Sequence, residues 1–155
     1  MKFLKTSAIC VLLTVCFLQS SAQKTGVPLN EPDYNKPKLF ADLPEKIDIN
    51  VSSLDLLFNE QNGKSVSVNF TPNISLHGVV VSRAKDDLAK SNSIVIKLTG
   101  RIGAIFSFTK IENGDGTFNY VGRIISRQHI DAYEIAKDKG QFVLQKKSLY
   151  DLYSE

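Results

Sequence analysis

The chain carries only two histidines, His77 and His129. The second opens the one stretch with the residue types of a metal-ligating set. His129-Ile130-Asp131 is followed three residues later by Glu134. In an extended strand residues two apart share a face, so His129 and Asp131 can point the same way. A protein metal site takes three or four imidazole, thiolate or carboxylate ligands. His129, Asp131 and Glu134 are therefore the metal candidates, and a metal-dependent enzyme built on them is one alternative reading. No further ligand with recognisable spacing stands nearby, and Asp131 equally suits the turn before a strand at Tyr133.

Other chemistries find less to work with. His77 falls on the polar side of its strand and reads as an exposed histidine. No Gly-x-Ser-x-Gly elbow is present to raise a serine nucleophile. Glu112-Asn113-Gly114-Asp115-Gly116 has Ile111 where a calcium loop needs an acid, and its distal Glu is missing. It reads as a hairpin turn, with Gly114 and Gly116 as structural residues that tolerate positive φ. Gly100-Arg101-Ile102-Gly103 lacks the Lys-Ser/Thr end of a phosphate loop and reads as a strand connection. Tyr120, Tyr133, Tyr150 and Tyr153 concentrate in the last third, where amphipathic rings suit a binding surface. Tyr120 and Tyr133, with Arg123 and Arg127, are the binding candidates, and Arg101 is placed near the two arginines. No catalytic residue and no cofactor is assigned.

These residues sit behind a leader. Lys2 and Lys5 precede a mostly apolar run from Ile9 to Leu18, and Ser20-Ser21-Ala22 supplies the small residues of a cleavage site before Gln23. That order is a secretory signal peptide, and the run is short of the roughly 20 apolar residues a membrane span needs. Cys10 and Cys16, the only cysteines, both fall inside it. Val15 before Cys16 stands where a lipidation motif has a small residue, so Cys16 belongs to the apolar run. The mature chain is thus expected to hold no thiol, no disulfide and no transmembrane segment. It is expected to be exported, to the periplasm or the medium, from a bacterial envelope rather than an animal cell. Removing Lys2 and Lys5 from the 19 basic side chains leaves 17 against 16 acidic ones, a net charge of +1. A chain so balanced offers no electrostatic case for nucleic acid.

Residues 1–22 are read as the leader, 23–39 as a flexible, proline-bearing tether and 40–155 as one β-rich domain. Val51 to Phe58 predicts a short helix with Ser52 or Ser53 as its cap and Leu54, Leu57 and Phe58 on one stripe, stopped at Asn62-Gly63. Beyond it the period changes to two. Strands are expected at Ser65–Phe70, Ile74–Ser82, Ile94–Leu98, Ala104–Ile111 and Phe118–Ser126, with a last hairpin of Tyr133–Ala136 and Phe142–Gln145 around the turn Asp138-Lys139-Gly140. Arg83 to Ser93 is polar throughout and reads as a loop or a frayed helical turn. The tail from Leu149 to Tyr153 is apolar enough to dock on the body. Gly78-Val79-Val80-Val81-Ser82-Arg83 echoes Gly122-Arg123-Ile124-Ile125-Ser126-Arg127, 44 residues on. In both, the apolar pattern widens to both faces after the glycine, which predicts a bulge or sharp bend at Gly78 and Gly122 and marks both as structural. The fold class is mainly β: an antiparallel sandwich or partly open barrel of about seven strands with one short N-terminal helix, or else an α+β fold.

Tyr120-Val121-Gly122-Arg123-Ile124-Ile125-Ser126, then His129-x-Asp131-Ala132-Tyr133-Glu134 and Leu149-Tyr150-Asp151-Leu152, resemble short exported proteins of Gram-negative bacteria that carry no assigned activity. A more distant likeness is to the pro-regions of secreted bacterial metalloproteases. Neither resemblance transfers a functional residue. The expectation is an exported binding or interaction module without a catalytic site, with another exported protein as its partner; the alternative beside the metal enzyme is a periplasmic inhibitor or pro-region-like partner of a secreted protease. Intact mass spectrometry of the exported product should give a chain that begins at Gln23 and takes up no thiol reagent; a product retaining Met1 would refute the leader.

Overall fold

Alternating apolar and polar side chains lay down one strand after another, and the strands join edge to edge into a curled antiparallel half-barrel. The computed structural model describes residues 33–153. The strands are β1 (Lys46–Asp48), β2 (Ser65–Thr71), β3 (Ile74–Asp86), β4 (Ser91–Leu98), β5 (Ile105–Glu112), β6 (Phe118–Ile125), β7 (Asp131–Asp138) and β8 (Gln141–Ser148). From β2 to β8 each strand pairs with the next, and β1 returns to lie beside β8. The sheet is thus the partly open barrel of the two β architectures expected, with one strand more. That strand is β1, at three residues too short to show an alternation. The leader and residues 23–32 of the tether lie outside the described residues.

The concave face carries the core. Val68 and Phe70, Leu76 and Val80, Ile94, Ile96 and Leu98, Phe106 and Phe108, Ile124, Tyr133 and Leu144 are buried along successive strands. Each fully buried large apolar side chain contributes about 1.5–3 kcal/mol relative to exposure. Aromatic rings cross this face in contact. Phe70 meets Phe106 edge-on, Phe106 and Tyr120 stack on either side of Phe108, and Phe142 meets Tyr120 edge-on. A smaller cluster lies apart, where Leu149 and Leu152 of the tail pack with Ala132 and Ile125.

Two segments finish the core. Residues 51–59 form helix α1 (Val51–Asp55), prolonged by a 3-10 turn (Leu56–Asn59). The cap is Asn50, whose side chain accepts from Ser52 N at 3.0 Å, rather than either expected serine. Asn50 is extended and one residue ahead of the helix, the position from which a short side chain reaches the N2 amide. Leu54 and Leu57 are buried as predicted, and Phe58 stacks on Phe108 at 5.2 Å. Within the stretch read as tether, residues 33–39 are held by long-range bonds: Ile130 N donates to Pro37 O, Leu39 N donates to Asp131, and Tyr150 OH donates to Asp33 O. The curl brings the two ends of the sheet close. Ile49 N donates to Phe142 O of β8 and Asn50 N to Phe70 O of the edge strand β2, so one dipeptide joins the two ends of the sheet.

Gly78 and Gly122 do not mark bulges. Leu76, Gly78 and Val80 all stay on the buried face, as do Tyr120, Gly122 and Ile124. What the two positions share is close approach. A Cβ on Gly78 would lie 2.6 Å from Lys97 O and from Ile96 Cγ2, and one on Gly122 would lie 2.8 Å from Ser107 O and Ile135 Cδ1. The bulge in β3 falls three residues later. Val80 faces Ile96 and Ser82 faces Val95, which leaves Val81 unpaired and swaps the faces beyond it. Past this point β3 and β4 continue as a hairpin arm to Asp86 and Ser91, where the sequence suggested a loop. The arm shows no alternation because its residues Val81 to Lys90 are all exposed. The β7–β8 turn is the tight hairpin its glycine foretold, with Lys139 and Gly140 both at positive φ.

Gly78→Ala should lower unfolding stability by about 1–3 kcal/mol, because a backbone carbonyl cannot yield as a side chain can. Gly114→Ala, with nothing within 4 Å of the added Cβ, should stay close to wild type in the same denaturant titration. Equal stability of the two variants would show that close packing at Gly78 is unimportant.

Candidate functional site

The metal candidates are not brought together. Asp131 and Glu134 stand three apart on β7 and so point to opposite faces of the sheet. Asp131 begins the strand instead of opening a turn before it. Its carboxylate is buried and accepts from two backbone amides, Leu39 N at 2.6 Å and Phe40 N at 2.8 Å. Glu134 accepts from Arg123 Nε at 2.9 Å and pairs with its Nη2 at 2.8 Å. His129 Nδ1 lies 2.9 Å from the buried Ser126 hydroxyl. Among the described residues no three His, Cys, Asp or Glu side chains converge as a metal would require.

The binding candidates divide between core and surface. Tyr133 is fully buried, donates its hydroxyl to Pro44 O and meets Phe40 edge-on. Tyr120 is buried and donates to Asp55 at 3.2 Å. Neither ring forms the binding surface that its residue type suggested. Arg123 is occupied by Glu134 on the convex face. Arg127 is exposed, and its backbone carbonyl accepts from Lys36 Nζ at 3.0 Å. Arg101 belongs to a different grouping from these two. It grips Asp42 with both terminal nitrogens, at 2.8 and 2.6 Å, and donates to Leu39 O at 2.7 Å. With Asp131 it fixes the segment carrying Phe40. His77 is exposed, as expected.

Two groupings were invisible in the sequence. The first sits where α1 meets the concave face. Lys110 Nζ lies 2.5 Å from Asp55 Oδ2 and 4.1 Å from the Phe118 ring centroid. Burial lowers the Lys110 amine, but the hydrogen bond and charge of Asp55 outweigh it and hold the group above the usual lysine value. Burial is also the main reason the Tyr120 hydroxyl is raised, with the Asp55 charge adding to it. Asp55 Oδ1 is buried with no hydrogen-bond partner. A pair 55 residues apart in sequence leaves no local signal.

The second grouping is the β3–β4 arm. Asp86 Oδ1 accepts from Leu88 N and Ala89 N, both at 2.9 Å, and closes the tip as an Asx turn. Lys90 takes positive φ there and pairs with Glu112 at 3.0 Å, while Lys85 pairs with Asp87 at 2.7 Å. Leu88 stands at this tip with 99 % of its surface in water. On the concave side the Val81 bulge has turned Arg83 and Lys85 inward. Arg83 faces Ile94 and donates to Phe58 O, and Lys85 faces Asn92. The signal for this was a polar stretch bounded by two strands, which a hairpin arm and a loop share. No family model, no curated protein and no solved structure matches this chain.

Burial pushes the Tyr133 hydroxyl from the ordinary 10.0 up to about 12. The folded state therefore holds this proton more tightly than the unfolded chain does. Its contribution is whole below pH 10 and is lost as pH rises from 10 to 12, about 3 kcal/mol across that window. Unfolding stability measured over this range should fall more steeply for wild type than for Tyr133→Phe. Parallel curves would show that Tyr133 ionises as freely folded as unfolded.

Proposed function

We propose that this chain is an exported, non-catalytic interaction module that meets another exported protein through the β3–β4 arm. The observation that carries the reading is Leu88, a large apolar side chain held fully in water by a turn whose own amides are satisfied. Burying it in a partner's pocket would return about 1.5–3 kcal/mol. The turn is already ordered, so little conformational entropy is lost on docking. The leader in the sequence supports export, and among the described residues no helix is long and apolar enough to cross a membrane. A metal-dependent enzyme on His129, Asp131 and Glu134 has no observation in its favour, since the three are engaged with different partners. An inhibitor or pro-region-like partner of a secreted protease is a narrower form of the same reading, favoured by the projecting, pre-formed loop at the tip.

A photo-crosslinking side chain placed at Leu88 and, separately, at Asp115 in the β5–β6 turn tests this in the producing cell. Position 88 should yield a discrete adduct that 115 does not. The arm is not the contact if both positions give the same adducts or neither gives any.

A further inference from the structure

Below the tip, on the concave side of the arm, lies an open notch of about 250 Å³ lined by Phe58, Arg83, Lys85 and Asn92. We infer that this notch takes an acidic, extended segment of the partner protein, an inference that rests on the arm being the contact. Three features define what fits. Size is the first: the volume is below the roughly 300–1,000 Å³ of small-molecule sites and suits the side chains of a passing peptide. Charge is the second. The notch is lined by two cations and by no carboxylate, although Lys85 also reaches the exposed Asp87 at 2.7 Å, so Arg83 carries most of the free charge. Among the described residues no carboxylate pairs with Arg83, whose one hydrogen bond there is to Phe58 O.

The third feature is continuity. Lys85 faces Asn92, Asn92 faces Lys110, and Lys110 faces Tyr120, so a cross-strand row leads from the notch across the concave face. Asp55 is the acid that meets this row, and it is bound to Lys110 and Tyr120. The acids of the arm, Asp86 and Asp87, line an adjoining notch nearer the tip with Glu112 and Lys90; Lys85 and Asn92 border both, and Arg83 belongs to the lower one alone. With a net charge of only +1 on the chain after its leader, this positive character is local, and so it selects a segment rather than a polyanion at large. Phe58 gives the segment an apolar wall and Asn92 a neutral donor.

The probe is a fluorescent hexaglutamate peptide titrated against the exported chain and read by anisotropy, with hexalysine as the control. Hexaglutamate should bind, hexalysine should not, and added salt should weaken the binding. Arg83→Gln should weaken it about tenfold, the scale of one charge-assisted hydrogen bond, and Lys85→Gln by a smaller factor of about threefold, because Lys85 is shared with Asp87. Leu88→Asp should leave it within about twofold, because the tip lies outside the notch. Melting temperatures of the variants show whether each remains folded, and the Lys85 variant disturbs no contact with α1. Absence of hexaglutamate binding, or binding unchanged in both Gln variants, overturns the inference. So does equal, Arg83-dependent binding to phosphatidylglycerol vesicles, which would make the face a lipid contact. The adduct at position 88 reads the arm independently: an adduct without peptide binding removes the notch alone, and peptide binding without an adduct removes the arm alone.

Discussion

At Gly78 and Gly122 the curling sheet presses so close to carbonyls and side chains of its own neighbouring strands that a methyl group has no room. That curl is what makes one sheet sufficient. A flat, uncovered antiparallel meander would leave its whole apolar face in water, because no second layer packs against it. Curling turns that face on itself, so Phe70, Phe106, Phe108, Tyr120 and Phe142 form one continuous aromatic path. It also brings β2 and β8 within reach of Ile49 and Asn50, which bridge them.

Once the sheet has curled, the core needs covering, and two short segments do so through polar anchors. Asp131 and Arg101 hold the segment around Phe40, and Asp55 holds α1 to Lys110 and Tyr120. The first anchor is well satisfied: both Asp131 oxygens accept backbone amides, and both terminal nitrogens of Arg101 are used. The second is less so, because one Asp55 oxygen is buried without a partner, a deficit on the order of 1–3 kcal/mol. An α-helix of five residues cannot persist on its own propensity. Leu54, Leu57 and Phe58 must therefore hold residues 51–59 against the sheet through packing.

The bulge at Val81 sets the character of the arm. Without the extra residue, Arg83 and Lys85 would continue the outward face of His77 and Val79. With it they turn to the concave side, beside Asn92 and Phe58. One unpaired residue thus decides whether two cations face solvent singly or line a common notch. Nothing in Val80-Val81-Ser82 announces this, since a bulge is a mismatch between two strands and only one of them is being read. The widened apolar pattern after Gly78 was a true sign of irregularity placed three residues early. The same pattern after Gly122 has another cause: Ile125 packs against the C-terminal tail on the opposite face.

Local rules were legible wherever the physics is local. The two-residue period of β2, the tight turn at Lys139-Gly140 and the stripe of Leu54, Leu57 and Phe58 depend on neighbours in sequence, and residue types alone determine them. The mainly β class followed, as did a short helix ahead of the β2–β8 meander. The tertiary structure alone decided which tyrosines are buried, what Asp131 holds, where β1 pairs and which way the arm's cations face. Asp131 meets Leu39 across 92 residues and Lys110 meets Asp55 across 55. Contacts at such separations exist only after the sheet has curled, and a tyrosine bound for the core has the same side chain as one bound for the surface.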